Sequence, residues 1–206
     1  LAIGGKYTAL EDSYASLVEA LEHSGAHLGS RVELKWIETS LVEKGEIDPA
    51  TALEGVDGII IPGGFGSRGI EGKMKLIRYA RESGLPFLGI CYGMQLAVVE
   101  YARNVCGLEG ANSEEVESPE SPVPHKVVCY LPGQRAITRK GGTMRLGGHD
   151  VEVKKGSRAS AIYGNSTRIR ERFRHRYEVN PEYVDRLEAS GLHFTGKAPG
   201  TPIMQV

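Results

Sequence analysis

A cysteine set between two glycines is the residue in this chain best placed to do chemistry. In the stretch from Leu85 to Gln95, an apolar run from Phe87 to Ile90 meets Cys91, which is flanked by Gly89 and Gly93, and a helix-period pattern follows. The Gly-x-Cys-x-Gly spacing predicts a nucleophile elbow, a sharp strand-to-helix turn that small neighbours permit and that exposes the thiol. Backbone N–H groups and the dipole at the start of the new helix favour thiolate over thiol. A buried structural cysteine is the plainer reading of a lone Cys. Glycines on both sides of a strand-to-helix junction favour the reactive one.

A second glycine cluster, Gly64-Phe-Gly-Ser-Arg-Gly69, formally matches G-x-G-x-x-G between a strand and a helix. As a dinucleotide fingerprint it is weak. It follows the third strand instead of the first, and the next strand ends at Cys91, not at an acidic ribose ligand. If the two strands are adjacent and parallel, Gly63 and Gly64 lie alongside Cys91, and their N–H groups suit an oxyanion made by thiolate attack. A plain turn remains open. A cysteine nucleophile also needs a base, commonly a histidine oriented by a carboxylate. None of His23, His27, His125, His149, His175 and His193 sits in a pattern that nominates it. His149-Asp150 has the right types, though a solvated turn accounts for it equally. His175 lies in the basic run Arg172 to Tyr177, which suits an anion or a charged strand face.

The elements that must position these residues read as alternating strands and helices. A strand ends at Leu1 to Ile3, and Leu10, Tyr14, Leu17, Val18 and Leu21 predict a helix ending before Gly25. Val32 to Ile37 alternates like a strand. Glu43 to Gly55 reads as a polar connection with a short helix after Asp48-Pro49, a good N-cap and N1 pair. Gly58 to Ile61 is an apolar strand, and Ile70, Met74 and Ile77 start the next helix. The cysteine strand and a helix through Met94, Val98 and Tyr101 follow. This order predicts an α/β fold: a mostly parallel central sheet with helices on both faces, its ligand edge at the loops after the strands. Beyond residue 104 the pattern becomes β-rich and predicts a small antiparallel extension. Glu109 to Pro124 reads as an acidic, proline-containing loop. Ala136 to Thr138 and Thr143 to Leu146 form a hairpin around Arg139 to Gly142. Asp150 to Val153, Ser160 to Tyr163, Arg170 to Val179 and His193 to Lys197 read as strands, with a helix from Asn180-Pro181 to Gly191.

Composition bounds the function. With 206 residues the chain suits one well-cored domain. A formal charge of -1 gives no general field for nucleic acid or an anionic membrane. No apolar run reaches membrane-span length and no signal peptide is visible, so a cytoplasmic location is expected. Three cysteines, Cys91, Cys106 and Cys129, lack metal-site spacing, which fits a reducing compartment and no metal. The first residues lie inside an apolar segment and the last four read like a strand cut short, so we expect a fragment of something larger.

Several strings together resemble the class I (triad) glutamine amidotransferases, and among them the glutaminase half of the CTP synthase family. They are Gly5-Lys-Tyr7, Pro62 to Gly66, Gly69 to Gly72, Pro86 to Leu96, Ala111 to Ser113, Gly141 to Gly147 and His175 to Asn180, in family order over nearly the whole chain. The resemblance implies hydrolysis of L-glutamine to glutamate and ammonia through a thioester on Cys91, with backbone N–H groups of Gly63 and Tyr92 as oxyanion hole. It implies that Gly64, Gln95, Glu115 and Arg176 contact glutamine, Glu115 suiting the ammonium and Arg176 the carboxylate. Three departures stand out: Tyr92 where leucine commonly follows the cysteine, Phe173 where histidine is usual, and no His-Pro-Glu, the family's base and orienting carboxylate. The implied amidoligase half would take UTP and ATP with Mg2+, GTP would activate, and the full-length enzyme would be a homo-oligomer; no cofactor is expected in this domain. Two other classes compete. A cysteine hydrolase of the DJ-1/PfpI type would commonly carry histidine at position 92. A non-catalytic regulatory domain would explain the missing His-Pro-Glu.

Overall fold

A buried strand opens the chain. In the computed structural model, residues 1–6, 11–131 and 145–205 are described, without the side chains of residues 11, 12 and 145. They form two compact units, Leu1–Ala97 and Val98–Val206.

In the first unit, β1 (Ala2–Gly5) is followed among the described residues by a 3-10 turn over Glu11–Tyr14 and then α1 (Ala15–Leu28). Next come β2 (Lys35–Glu38), α2 (Thr39–Lys44) and α3 (Pro49–Ala52). Then β3 (Ile59–Ile61), α4 (Ile70–Ser83), β4 (Phe87–Gly89) and the start of α5 (Tyr92–Asn104) complete it. The strands make a parallel sheet in the order β2-β1-β3-β4, as the alternation of elements requires. Ile3, Ile59 and Ile61 of its strands and Leu76 of α4 are fully buried, each contributing about 2 kcal/mol on leaving water. Strand β4 is the sheet edge, and its apolar Leu88 is 54% exposed there.

Three local expectations change. Helix α1 does not stop before Gly25 but runs through it to a left-handed cap at Gly29. Gly25 is there for close approach: a Cβ would lie 2.6 Å from the Ser30 carbonyl oxygen, where the chain turns back. The Ser30 N–H donates to the Gly25 carbonyl at 2.9 Å, so the turn itself ends the helix. The strand near Trp36 is shorter than the alternation from Val32 suggests. Part of the expected polar connection is α2, capped by the Glu38 carboxylate; α3 has the Asp48 cap that its sequence predicts. Helix α4 begins under Glu43, whose carboxylate accepts from the N–H groups of Gly69 (3.0 Å) and Glu71 (3.2 Å). An acid at a helix N-terminus satisfies free donors and opposes the dipole favourably.

In the second unit, β5 (Ala111–Ser113), β6 (His125–Tyr130), β7 (Arg145–Val153), α6 (Arg158–Ile162), β8 (Arg168–His175), β9 (Tyr177–Val179), α7 (Pro181–Ala189) and β10 (Gly196–Lys197) follow in order. They make two three-stranded sheets: β10-β7-β8, antiparallel, and β5-β6-β9, in which β5 and β6 run parallel. Ser160 to Tyr163 is not a strand. It belongs to α6, because Ser157 caps a helix by accepting from the Ser160 N–H at 3.1 Å. The single strand expected over Arg170 to Val179 is two strands in different sheets, broken at Arg176. The acidic loop contains β5 and a 3-10 turn over Glu114–Val116. The strand expected from His193 is only Gly196–Lys197. The hairpin expected around Arg139 to Gly142 lies outside the described residues, apart from its last two residues at the start of β7.

Candidate active site

The elbow forms as its glycines require. Strands β3 and β4 pair in parallel with Ile61 opposite Gly89, and the Ile90 N–H donates to the Ile61 carbonyl at 2.9 Å. Helix α5 then starts one residue after Cys91, whose φ of 51° is left-handed. Such a φ on a non-glycine residue is strained, and strain of this kind collects at functional sites. The turn closes because nothing projects from its flanks. A Cβ at Gly93 would lie 1.9 Å from the Ile61 carbonyl oxygen, and one at Gly89 would lie 2.6 Å from the Met94 nitrogen. Cys91 is exposed and not in a disulfide.

The expected neighbour is in place. A Cβ at Gly63 would lie 3.6 Å from the Cys91 Cβ, so the loop after β3 packs directly against the thiol-bearing residue. Gln95 sits one turn along α5 from Cys91 and is buried. Tyr92 is buried too, and its hydroxyl donates to the Gly66 carbonyl at 3.1 Å, a tie that leucine cannot make. From the other side, Lys6 Nζ donates to the Phe65 carbonyl, and the Arg68 guanidinium donates to the Lys6 carbonyl at 2.9 Å. The Gly63–Gly66 loop is therefore fixed at both ends.

Sequence reasoning missed Lys73. It lies on the buried face of α4 at 2% exposure, with Nζ 3.7 Å from where a Cβ at Gly64 would stand and 5.6 Å from the centre of the Tyr92 ring. Its position on the apolar stripe Ile70, Met74, Ile77 was the available signal. Burial, and after it the charge of Lys6, lowers its pKa from 10.5 to about 8. Because the folded value is below the unfolded one, the charged form costs stability below about pH 8, and the cost is relieved as pH rises toward 10.5. A shift of that size is about 3 kcal/mol at neutral pH. Lys73→Met should therefore raise unfolding stability by about 2 kcal/mol at pH 7, less as pH approaches 10.5. Urea unfolding at both pH values checks this; an equal gain at both would contradict charge burial as its cause.

In the second unit, Glu115 and Arg176 come together around Tyr177. Burial first, then a hydrogen bond and charge from Tyr130, then the charge of Glu115, push the Tyr177 phenol far up, and Arg176 pulls the other way. The Tyr130 and Tyr177 rings are 4.5 Å apart. Arg176 is buried, which is costly for a guanidinium unless anions surround it. Glu115 occupies the 3-10 turn after β5, its N–H donating to Ser113 Oγ at 3.2 Å.

The histidine contacts lie elsewhere than at Cys91. His23 and His27 are exposed on α1. His125 meets the Tyr183 hydroxyl at 3.3 Å, His149 the Leu146 carbonyl at 3.1 Å, and His175 the Tyr177 carbonyl at 2.8 Å. Asp150 does not serve His149: Arg168 and Arg170 donate to it at 2.6 and 3.0 Å and hold its carboxyl below the usual range. Among the described residues, no group of three or more His, Cys, Asp or Glu could hold a metal ion, and no helix is long and apolar enough to cross a membrane.

A strained cysteine at a strand-to-helix corner beside a glycine loop defines a class, and comparison with known proteins agrees. The profile for glutamine amidotransferase class-I matches residues 9–206, and the chain belongs to that family. Its relatives within it are CTP synthases. Those of Thermococcus gammatolerans and Pyrococcus furiosus are each 54% identical over 198 residues, covering 96% of this chain; that of Methanopyrus kandleri is 50% identical over 199 residues. The chain spans 36% of the length of the first two and 37% of the third. Among solved structures, the glutaminase domain of Trypanosoma brucei CTPS, with bound acivicin, matches with a TM-score of 0.87 and 37% identity, over 99% of this chain and 76% of that one.

Proposed function

We propose that this chain is the glutaminase domain of a CTP synthase and hydrolyses L-glutamine to glutamate and ammonia. The observation that carries this is the strained, exposed Cys91 at the start of α5 with Gly63 packed against it. The Cys91 thiolate attacks the side-chain amide carbon, and the oxygen that becomes negative is held by the N–H groups of Gly63 and Tyr92. Ammonia departs with a proton from a general acid, leaving a γ-glutamyl thioester on sulfur, and water hydrolyses it. Gly64 and Gln95 line the thiol side of the substrate, while Glu115 meets its ammonium and buried Arg176 its carboxylate. No His-Pro-Glu occurs in these 206 residues. In the whole enzyme the ammonia passes to an amidoligase half that uses ATP and Mg2+ to convert UTP to CTP, with GTP as activator, in a cytoplasmic homo-oligomer.

The test is glutamate release in the full-length enzyme, with hydroxylamine added to trap the thioester as γ-glutamyl hydroxamate. Hydroxamate formed from glutamine supports the acyl-enzyme route, and hydrolysis that hydroxylamine cannot divert contradicts it. Arg176→Met should raise the glutamine KM by about 100-fold with a smaller change in kcat, since a charge-assisted contact to the carboxylate acts in ground and transition states alike. A fall in kcat at unchanged KM would remove Arg176 from the substrate site.

A further inference from the structure

We propose that Lys73 is a positioning residue for Cys91: its ammonium, buried behind the Gly63–Gly64 loop and over the Tyr92 ring, supplies positive potential that favours the thiolate and the oxyanion formed beside it. The inference rests on Cys91 being the nucleophile.

The geometry runs through two contacts. Lys73 Nζ lies 3.7 Å from the Cβ position of Gly64, and Gly63, the adjoining residue, lies against Cys91. On the α5 side, the Lys73 Nζ is 5.6 Å from the ring of Tyr92, the residue after the nucleophile. The lysine thus stands beside both residues whose amides face the reacting oxygen under the proposed mechanism. Among the described residues, no hydrogen bond or ion pair engages its ammonium, and the charge that acts on it is that of Lys6. A charge in such a low-dielectric place acts over a longer range than one in water.

The groups facing Lys73 can be named element by element. From the end of β1 comes Lys6, whose ammonium repels it and itself donates to the Phe65 carbonyl. From the β3–α4 loop comes the backbone of Gly64, and from α5 the ring of Tyr92, whose hydroxyl donates to the Gly66 carbonyl. The α2 acid Glu43 is engaged at the start of α4, where its carboxylate holds the Gly69 and Glu71 N–H groups. A leucine or methionine at position 73 would fill the same space without the cost of burying charge. A cation kept at a buried, destabilising position beside a nucleophile is the pattern expected where function and stability oppose each other.

The experiment reads the thiol directly and needs no glutamine. Cys91 is alkylated with iodoacetamide across pH 5 to 10 in the wild-type chain, Lys73→Met and Lys73→Arg, with the adduct assigned by peptide mass spectrometry to separate it from Cys106 and Cys129. In Lys73→Met the midpoint of the rate profile should rise by about half to one pH unit. Lys73→Arg, charged throughout, should keep the low midpoint. The wild-type profile should be broader than a single titration, because Lys73 discharges in the same range and its field fades above about pH 8. Coincident midpoints for wild type and Lys73→Met overturn the proposal, and so does a single-proton wild-type profile should the Met variant not fold. Failure of the glutaminase reading looks different: an alkylatable Cys91 with its Lys73-dependent midpoint, but no glutamate from glutamine.

Discussion

Cys91→Ala should abolish glutamine-dependent ammonia release in the full-length enzyme, a loss on the order of 10⁴-fold or more. Without sulfur no thioester forms, and substrate binding alone accelerates nothing. The fold should survive, because the Cys91 side chain is exposed and the elbow depends on Gly89, Gly93 and the Ile61 carbonyl. Alanine at a φ of 51° carries no greater strain than cysteine. With ammonia supplied directly, CTP formation should continue at the wild-type rate. Loss of both activities would mean that position 91 serves the amidoligase half as well, against a purely glutaminase role.

Gly93→Ala should be severely destabilising for a single added methyl group. The added carbon would lie 1.9 Å from the Ile61 carbonyl oxygen and 2.8 Å from its carbon. Both atoms belong to the backbone of Ile61 in β3, so no side chain can swing away to relieve the contact. The carbonyl also accepts the Ile90 N–H that leads the chain into the elbow. Relief requires moving the helix off the sheet, and a destabilisation of about 4 kcal/mol or more is expected, together with loss of Cys91 reactivity. Gly84→Ala is the comparison. Gly84 has a φ of 73° with nothing within 4 Å, so only conformational strain of about 1–2 kcal/mol applies. Denaturant unfolding separates the two, and equal losses would mean that close packing at the elbow is not what demands glycine.

The parts legible in the sequence are those where local rule and tertiary demand coincide. Gly89, Cys91 and Gly93 announce a turn that only their spacing allows, and apolar Ile59–Ile61 announces a buried parallel strand. Where they conflict, the sequence misleads. Ser160 to Tyr163 has the composition of a short strand, but Ser157 supplies a cap and Gly164 a stop, and the helix wins. Gly25 reads as a helix end because glycine usually breaks helices, whereas here its missing side chain admits the returning chain. The candidate site divides in the same way. Cys91 was readable from its flanking glycines and Gly63 from the expected pairing of adjacent parallel strands, whereas Gln95 came from the family resemblance. Glu115 and Arg176 are 61 positions apart in the sequence and came from the family resemblance; their common neighbour, Tyr177, became visible only in three dimensions. Lys73 and the Tyr92 hydroxyl went unnoticed because each reads as an ordinary helix residue until its burial is known.

The most direct measurement of the central claim is covalent capture of Cys91 by a chloroketone analogue of glutamine, followed by peptide mass spectrometry of the full-length enzyme. One adduct on Cys91, slowed by L-glutamine and absent from Cys91→Ala, is the predicted result. An unlabelled Cys91, or labelling that glutamine does not slow, would contradict it.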